Sequence, residues 1–248
     1  MRSIEFDQSY AAVEADLASQ GLVLCDLKAV NEIETSVWLS EPEHSATLQS
    51  GSLLLLGHAG KQFWEVYQQQ TSLEYRNQAD PVDRFSAEVT EVILTEHFPQ
   101  VEKQRLFPSA DCSVNLMALG DEMRWHSPSP LGMGIHSEYG LWSAYRAVWW
   151  LNIQRPTLPR PAVTDICVNC QTQACVSACP GEAITFGNRP NLNRCADYRL
   201  EERSACASTC LARRACPYAT EHQYPESQMA YHYELARSAI QSYRSQSE

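Results

Sequence analysis

The chain has 248 residues, a formal net charge of −11 and 44% hydrophobic side chains. That length allows one large domain or two modest ones around a sizeable core, and no apolar run reaches transmembrane length. Its acidity disfavours a nucleic-acid partner, which basic surface would recruit. The first seven residues carry neither an apolar signal region nor a twin-arginine pair, so a cytoplasmic location is expected, with no membrane partner. That compartment keeps thiols reduced.

Taken in order, residues 8–20 read as a helix closed by Gly21 at its C′ position. Residues 21–25 read as a strand, with Cys25 as a small buried side chain. The apolar run 52–57 fits a buried strand. The following Gly57-His58-Ala59-Gly60-Lys61 is too short for a phosphate loop and lacks its Ser or Thr. A helix from near Lys61 is expected to bury Phe63, Trp64 and Tyr67. Asp80, Pro81 and Asp83 have the order of N-cap, N1 and N3 residues, and Phe85, Val89, Val92, Ile93 and Phe98 continue as a helical stripe. Residues 103–107 suit a strand, and residues 113–125 a helix led by Asp111. Residues 141–151, rich in aromatic and apolar side chains, suit a central strand. Three prolines between 154 and 161 mark a linker. The division expected is 1–153, a linker at 154–163, a cysteine-rich segment at 164–224 and a last helix at 225–248. Met229, Tyr233, Ala236, Ile240 and Tyr243 form the stripe by which that helix packs back on the body.

The densest chemistry lies between Asp165 and Pro217. Cys167, Cys170, Cys175, Cys179, Cys195, Cys206, Cys210 and Cys216 are eight of the ten cysteines in the chain. Such density means disulfides, zinc or iron–sulfur clusters. Eight thiolates are the complement of two [4Fe–4S] clusters, and Cys179 and Cys216 are each followed by proline, as in the bacterial ferredoxin run. The spacing is looser than in that run, with four residues between Cys170 and Cys175. Zinc sites would use paired C-x2-C units, of which one is present.

Charge is unevenly distributed. Residues 1–163 carry 11 basic and 21 acidic side chains, and residues 164–248 carry 8 and 9. Arg189, Arg194, Arg199, Arg203, Arg213 and Arg214 fall among the later cysteines, where they can offset cluster charge or form a docking face for an acidic electron donor such as a ferredoxin or flavodoxin.

The cysteine region resembles bacterial two-cluster ferredoxins, in which the fourth cysteine of each run serves the other cluster. That resemblance implies one cluster on Cys167, Cys170, Cys175 and Cys216, and another on Cys179, Cys195, Cys206 and Cys210. The lone Cys195 before a short final motif is closer to epoxyqueuosine reductases than to free ferredoxins. Upstream, residues 52–64, the Asp80-Pro81-Val82-Asp83 start and the stretch 134–146 together resemble the cblC-type cobalamin-processing family, the vitamin B12 chaperone and reductase of animal cells. Reductive dehalogenases are similar to the combined arrangement.

The resemblance implies an α+β fold: a flavin-nitroreductase-like sheet-and-helix domain, then a two-cluster ferredoxin-like domain and a C-terminal helix. It also implies base-off cobalamin, with flavin as the alternative cofactor. Gly134, Ile135, His136, Glu138, Tyr139, Gly140, Trp142 and Arg146 are the candidate binding residues, and Asp111 is the candidate proton donor, with a helix cap as its simpler role. The pattern that supplies a histidine lower ligand to cobalt is absent, so His136 reads as a loop hydrogen-bonder. The function implied is a corrinoid-dependent iron–sulfur reductase acting on a corrinoid or a small molecule. The alternative is a non-enzymatic electron carrier or cobalamin chaperone. Epoxyqueuosine reduction is disfavoured, because the chain ends about where a tRNA-facing extension would begin and because it is acidic.

Overall fold

Four consecutive leucines with no polar partner on either side can only be satisfied by burial on both faces of a sheet. In the computed structural model, which describes residues 3–39, 48, 50–109, 114–155 and 164–246, this run lies in strand β2 (Ser52–Ala59), buried along its whole length. The chain packs as two compact units. One comprises Met1–Trp125 and Ser143–Ala162, the other His126–Trp142 and Val163–Glu248. The segment His126–Trp142, expected within 1–153, groups with the cysteine-rich residues.

The first unit is α+β. Its sheet is antiparallel, ordered β1 (Leu24–Ala29), β2, β6 (Ser143–Leu151) and β3 (Lys103–Phe107). Leu55 pairs with Val148 and Leu54 with Trp149, and the register shifts after Leu56. Trp149 and Trp150 alternate to opposite faces of the sheet. Trp149 Nε1 donates to Thr90 Oγ1 on helix α3 (Pro81–His97) at 3.0 Å, whereas Trp150 Nε1 donates to the Ser50 carbonyl at 2.7 Å. Helices α1 (Ser3–Ser19) and α2 (Gln62–Gln70) belong to the same unit, and α1 packs on α3. Phe63, Trp64 and Tyr67 are buried as the sequence predicts.

Several boundaries differ from expectation. The first strand starts at Leu24 and runs to Ala29, because Gly21 and the turn after it are needed to end α1. Asp80 precedes α3 in a left-handed conformation and makes no side-chain cap, so it is not the cap its position suggests. Val92 is exposed, and Val82, Ser86, Thr90 and Leu94 share the buried side with Phe85 and Ile93. Helix α4 (Leu116–Glu122) is capped by Asn115, whose side chain accepts from Ala118 N at 3.2 Å. Asp111 and Cys112 lie outside the described residues, as do residues 156–163 of the expected linker.

The second unit holds a two-stranded hairpin, β4 (Ser127–Pro128) with β5 (Gly134–Ile135), and helices α5 (Leu192–Leu200) and α6 (Glu226–Ser245). Residues 164–246 form helices and turns, with no strand among the described residues. Helix α6 packs on α5, but its contact edge changes chemistry along its length. Met229 is buried and Tyr233 partly so, whereas Tyr243 is exposed. Arg237 and Arg244 take over, donating to the Arg199 and Asn193 carbonyls. The expected apolar stripe therefore holds only in the first half of the helix.

Gly21 offers a test of this packing. It adopts φ +75°, and a Cβ there would overlap the Phe63 backbone at the start of α2. Gly21→Ala is expected to lower the unfolding free energy by about 2 kcal/mol or more, combining the left-handed penalty with overpacking. Denaturant unfolding measures this, and unchanged stability would contradict the contact.

Candidate metal centres

A buried cation ties together distant parts of the second unit. Arg213 follows Cys210 in a single helical turn (Leu211–Arg214), and its Nε donates to the Leu141 carbonyl at 3.1 Å. Its guanidinium lies 4.7 Å from the Trp142 ring centre and 4.8 Å from that of Tyr224. The two rings meet edge to face at 5.5 Å. Aromatic faces and a carbonyl satisfy a charge that burial would otherwise penalise heavily.

The eight cysteines gather into two groups within this unit. A cavity of about 590 Å³ is lined by Cys167, Cys170, Cys175 and Cys216, together with the apolar side chains of Leu131 and Ile135. A second, of about 130 Å³, is lined by Cys179, Cys195, Cys206 and Cys210. Each cavity thus collects four cysteines that are dispersed in sequence. All nine described cysteines are free thiols.

Within each group the thiols feel one another. Burial pushes the Cys167 thiol up to about 11, with the charges of Cys216, Cys175 and Cys170 adding to the shift. Burial likewise raises Cys195, seconded by Cys210 and opposed by Arg199. Backbone amides point at several sulfurs: Ala183 N donates to Cys179 Sγ and Arg213 N to Cys210 Sγ, both at 3.4 Å. The Tyr218 and Leu211 amides pull the Cys216 and Cys206 thiols down, against the larger rise that burial causes. Among the described residues, no three His, Cys, Asp or Glu side chains converge on a point as a single ion requires. Zinc draws its donors to about 2.0–2.3 Å from one centre. A cluster instead takes one thiolate on each iron, so its sulfurs stand apart around it.

The candidate cofactor residues are divided between the units. Gly134, Ile135, His136, Glu138, Tyr139, Gly140 and Trp142 lie in the second, Arg146 in the first. Ile135 is buried and lines the larger cavity. His136 Nδ1 accepts the backbone N–H groups of Glu138 at 3.1 Å and Tyr139 at 3.2 Å, and His136 and Gly140 exchange backbone bonds that close the turn. Burial holds the His136 imidazole below its ordinary value, helped by His126 and His222 and opposed by Glu138. Tyr139 packs edge-on against His222 at 4.8 Å, and Glu138 is exposed.

Gly134 sits so close to the His126 ring that a side chain there would overlap it. Gly140 has φ +59°, and its neighbours are the Tyr218 carbonyl and the Ala219 side chain, so its small size serves packing of the cysteine loop rather than approach to a flat ring. Trp142 is fully buried against Tyr224 and Met229 and offers no surface to a ligand. Its role is in the core. Arg146 pairs with Asp83 at 3.3 Å, which joins two of the sequence motifs inside the first unit. Burial raises the Asp83 carboxyl, and Arg146 opposes that shift.

Of the six arginines among the later cysteines, only Arg199 and Arg213 are buried. Their neighbour Tyr233 also belongs to this environment, since it lines the smaller cavity. A sequence signal for Arg199 exists: it follows Cys195 by one helical turn on α5. Tyr233 could be found only from the tertiary structure.

No family model matches the chain, and a search of curated proteins found no match. Solved structures do. A B12-trafficking protein CblC of C. elegans, a human MMACHC homologue, aligns with a TM-score of 0.57 at 12% identity, covering 96% of each chain. Epoxyqueuosine reductase from Bacillus subtilis aligns at 0.56 and 14% identity, covering 90% of this chain and 68% of that one. The catabolic reductive dehalogenase NpRdhA aligns at 0.56 and 15%, covering 92% of this chain and 34% of its own. At these identities the likeness is one of fold.

Gly140→Val tests the packing role of that turn. A β-branched side chain at positive φ, pressed on Tyr218 and Ala219, is expected to destabilise the metal-free protein by about 2–3 kcal/mol. Chemical denaturation of the metal-free chain checks it. A variant as stable as the parent would return the glycine to a ligand-facing role.

Proposed function

We propose that the chain is an iron–sulfur reductase carrying two [4Fe–4S] clusters and working with a corrinoid. The observation that carries the cluster reading is the sorting of eight cysteines into two cavities of four, with backbone amides directed at Cys179 and Cys210 in the smaller one. The donor set fits. Four thiolates confined in one cavity repel one another, and an iron–sulfur core supplies the positive charge that would hold them together. Cys167, Cys170, Cys175 and Cys216 would hold one cluster, and Cys179, Cys195, Cys206 and Cys210 the other. When bound, the clusters supply single-electron transfer. The protein's part is to bind them, shield them and direct N–H groups at their sulfurs.

This cysteine arrangement also supports the ferredoxin-like reading of the second unit. The exposed Arg189, Arg194 and Arg203 suit docking of an acidic electron donor.

Corrinoid dependence is supported by the fold likeness to a B12-trafficking protein and to reductive dehalogenases. The candidate residues do not by themselves build a corrinoid seat. Trp142 is buried, His136 Nδ1 is engaged by its own turn, and Arg146 is paired with Asp83. A second reading, a cobalamin chaperone with redox centres, is favoured by the fold likeness to the B12-trafficking CblC protein.

Iron and acid-labile sulfide in anaerobically prepared protein are expected at about eight of each per chain. Stoichiometric zinc without iron would overturn the cluster reading. Cys25, whose Sγ lies 3.6 Å from Tyr10 Oη in the first unit, is not a ligand. Cys25→Ser is therefore expected to retain all the iron, and loss of about half would refute that.

Titration with cob(II)alamin, followed by its visible spectrum, tests the corrinoid. Binding with reduction by the reduced protein supports the enzyme, and binding without reduction supports the chaperone. No binding leaves an electron carrier.

A further inference from the structure

The two four-cysteine cavities differ in charge and in hydrogen bonding. The smaller one is flanked by Arg199 and Tyr233. Arg199 Nη2 donates to the Tyr233 carbonyl at 2.7 Å, its guanidinium lies 4.7 Å from the Tyr233 ring centre, and its charge acts on Cys195 and Cys206. Tyr233 lines this cavity together with Cys210.

Among the described residues, no Arg or Lys lines the larger cavity. The nearby charge there is a carboxylate, Asp165, which acts on Cys167. Its side-chain donor to sulfur is Thr172, whose Oγ1 lies 3.6 Å from Cys170 Sγ.

Reduction adds one negative charge to a cluster. Cations and charge-directed donors stabilise that charge, and a carboxylate opposes it. We infer that Arg199 and Tyr233, which line the cavity side by side, are potential-setting residues that make the cluster of Cys179, Cys195, Cys206 and Cys210 the easier of the two to reduce. One electron from a low-potential donor then rests there first. The cluster on Cys167, Cys170, Cys175 and Cys216 is the stronger reductant, and it borders the larger cavity. This assignment stands on the cluster reading above.

The test is a redox titration of the full, anaerobically reconstituted chain with dithionite, followed by electron paramagnetic resonance, with iron content measured on each sample. Two one-electron waves are expected. Cys170→Ser perturbs the wave of the larger cavity and so identifies it. Tyr233→Phe keeps the ring over which Arg199 sits and removes only the hydroxyl. It is expected to lower the other, higher wave by about tenfold in the reduction equilibrium, or about 59 mV for one electron, with the first wave unmoved. Arg199→Gln, which can still donate to the Tyr233 carbonyl, is expected to lower the same wave. It serves if the phenylalanine variant loses iron. Full iron with both waves unmoved in these variants, or with the wave marked by Cys170→Ser moving, overturns the inference alone. Protein that takes up no iron overturns the cluster reading beneath it.

Discussion

Burial of the Arg213 guanidinium is the constraint around which the second unit is arranged. An arginine cannot shed its charge, so its surroundings must be built to receive it. Here the Leu141 carbonyl and the rings of Trp142 and Tyr224 do so. The consequence is topological. A segment near position 141 and the last cysteine turn are tied at one point, although more than seventy residues separate them in sequence. Tyr224 and Met229 then close over Trp142, which brings the start of α6 into the same core.

The cysteine geometry follows from that tie. Cys210 and Cys216 flank Arg213 in sequence, so fixing the arginine places one cysteine at each cavity. Thiols held this close raise one another, as the causes of the Cys167 shift show. Four cysteines confined twice over, with backbone amides directed at Cys179 and Cys210, are the donor set on which the proposed cluster reading rests. Further from the sulfurs the cavities diverge. The buried Arg199 and the Tyr233 phenol line one, and a carboxylate acts on the other.

The stretch 134–146 shows how a motif can be legible while its roles are not. Its glycines and aromatic residues suggest a surface for a large flat ligand. In the structure, Gly140 makes room for Tyr218 and Ala219, Trp142 is core, and Arg146 answers Asp83 in the first unit. Residues adjacent in sequence serve separate packing problems because the chain passes from one unit to the other between Trp142 and Ser143. Composition is blind to that passage.

What the sequence determined by itself is whatever depends on short-range pattern. The leucine run demanded a doubly covered strand, the Phe63, Trp64 and Tyr67 spacing a buried helix face, and eight clustered cysteines a shared inorganic ligand or disulfides. Local signals failed where a tertiary contact outweighed them. Asp80 has a cap's position but a left-handed backbone, and α4 takes Asn115 as its cap. The apolar stripe of α6 yields to Arg237 and Arg244, because the backbone carbonyls of Arg199 and Asn193 lie opposite. Only the tertiary structure decided which arginines turn inward and that Tyr233 and Cys210 line one cavity. Burial and hydrogen-bond partnership are properties of groups distant in sequence, and no local pattern encodes them.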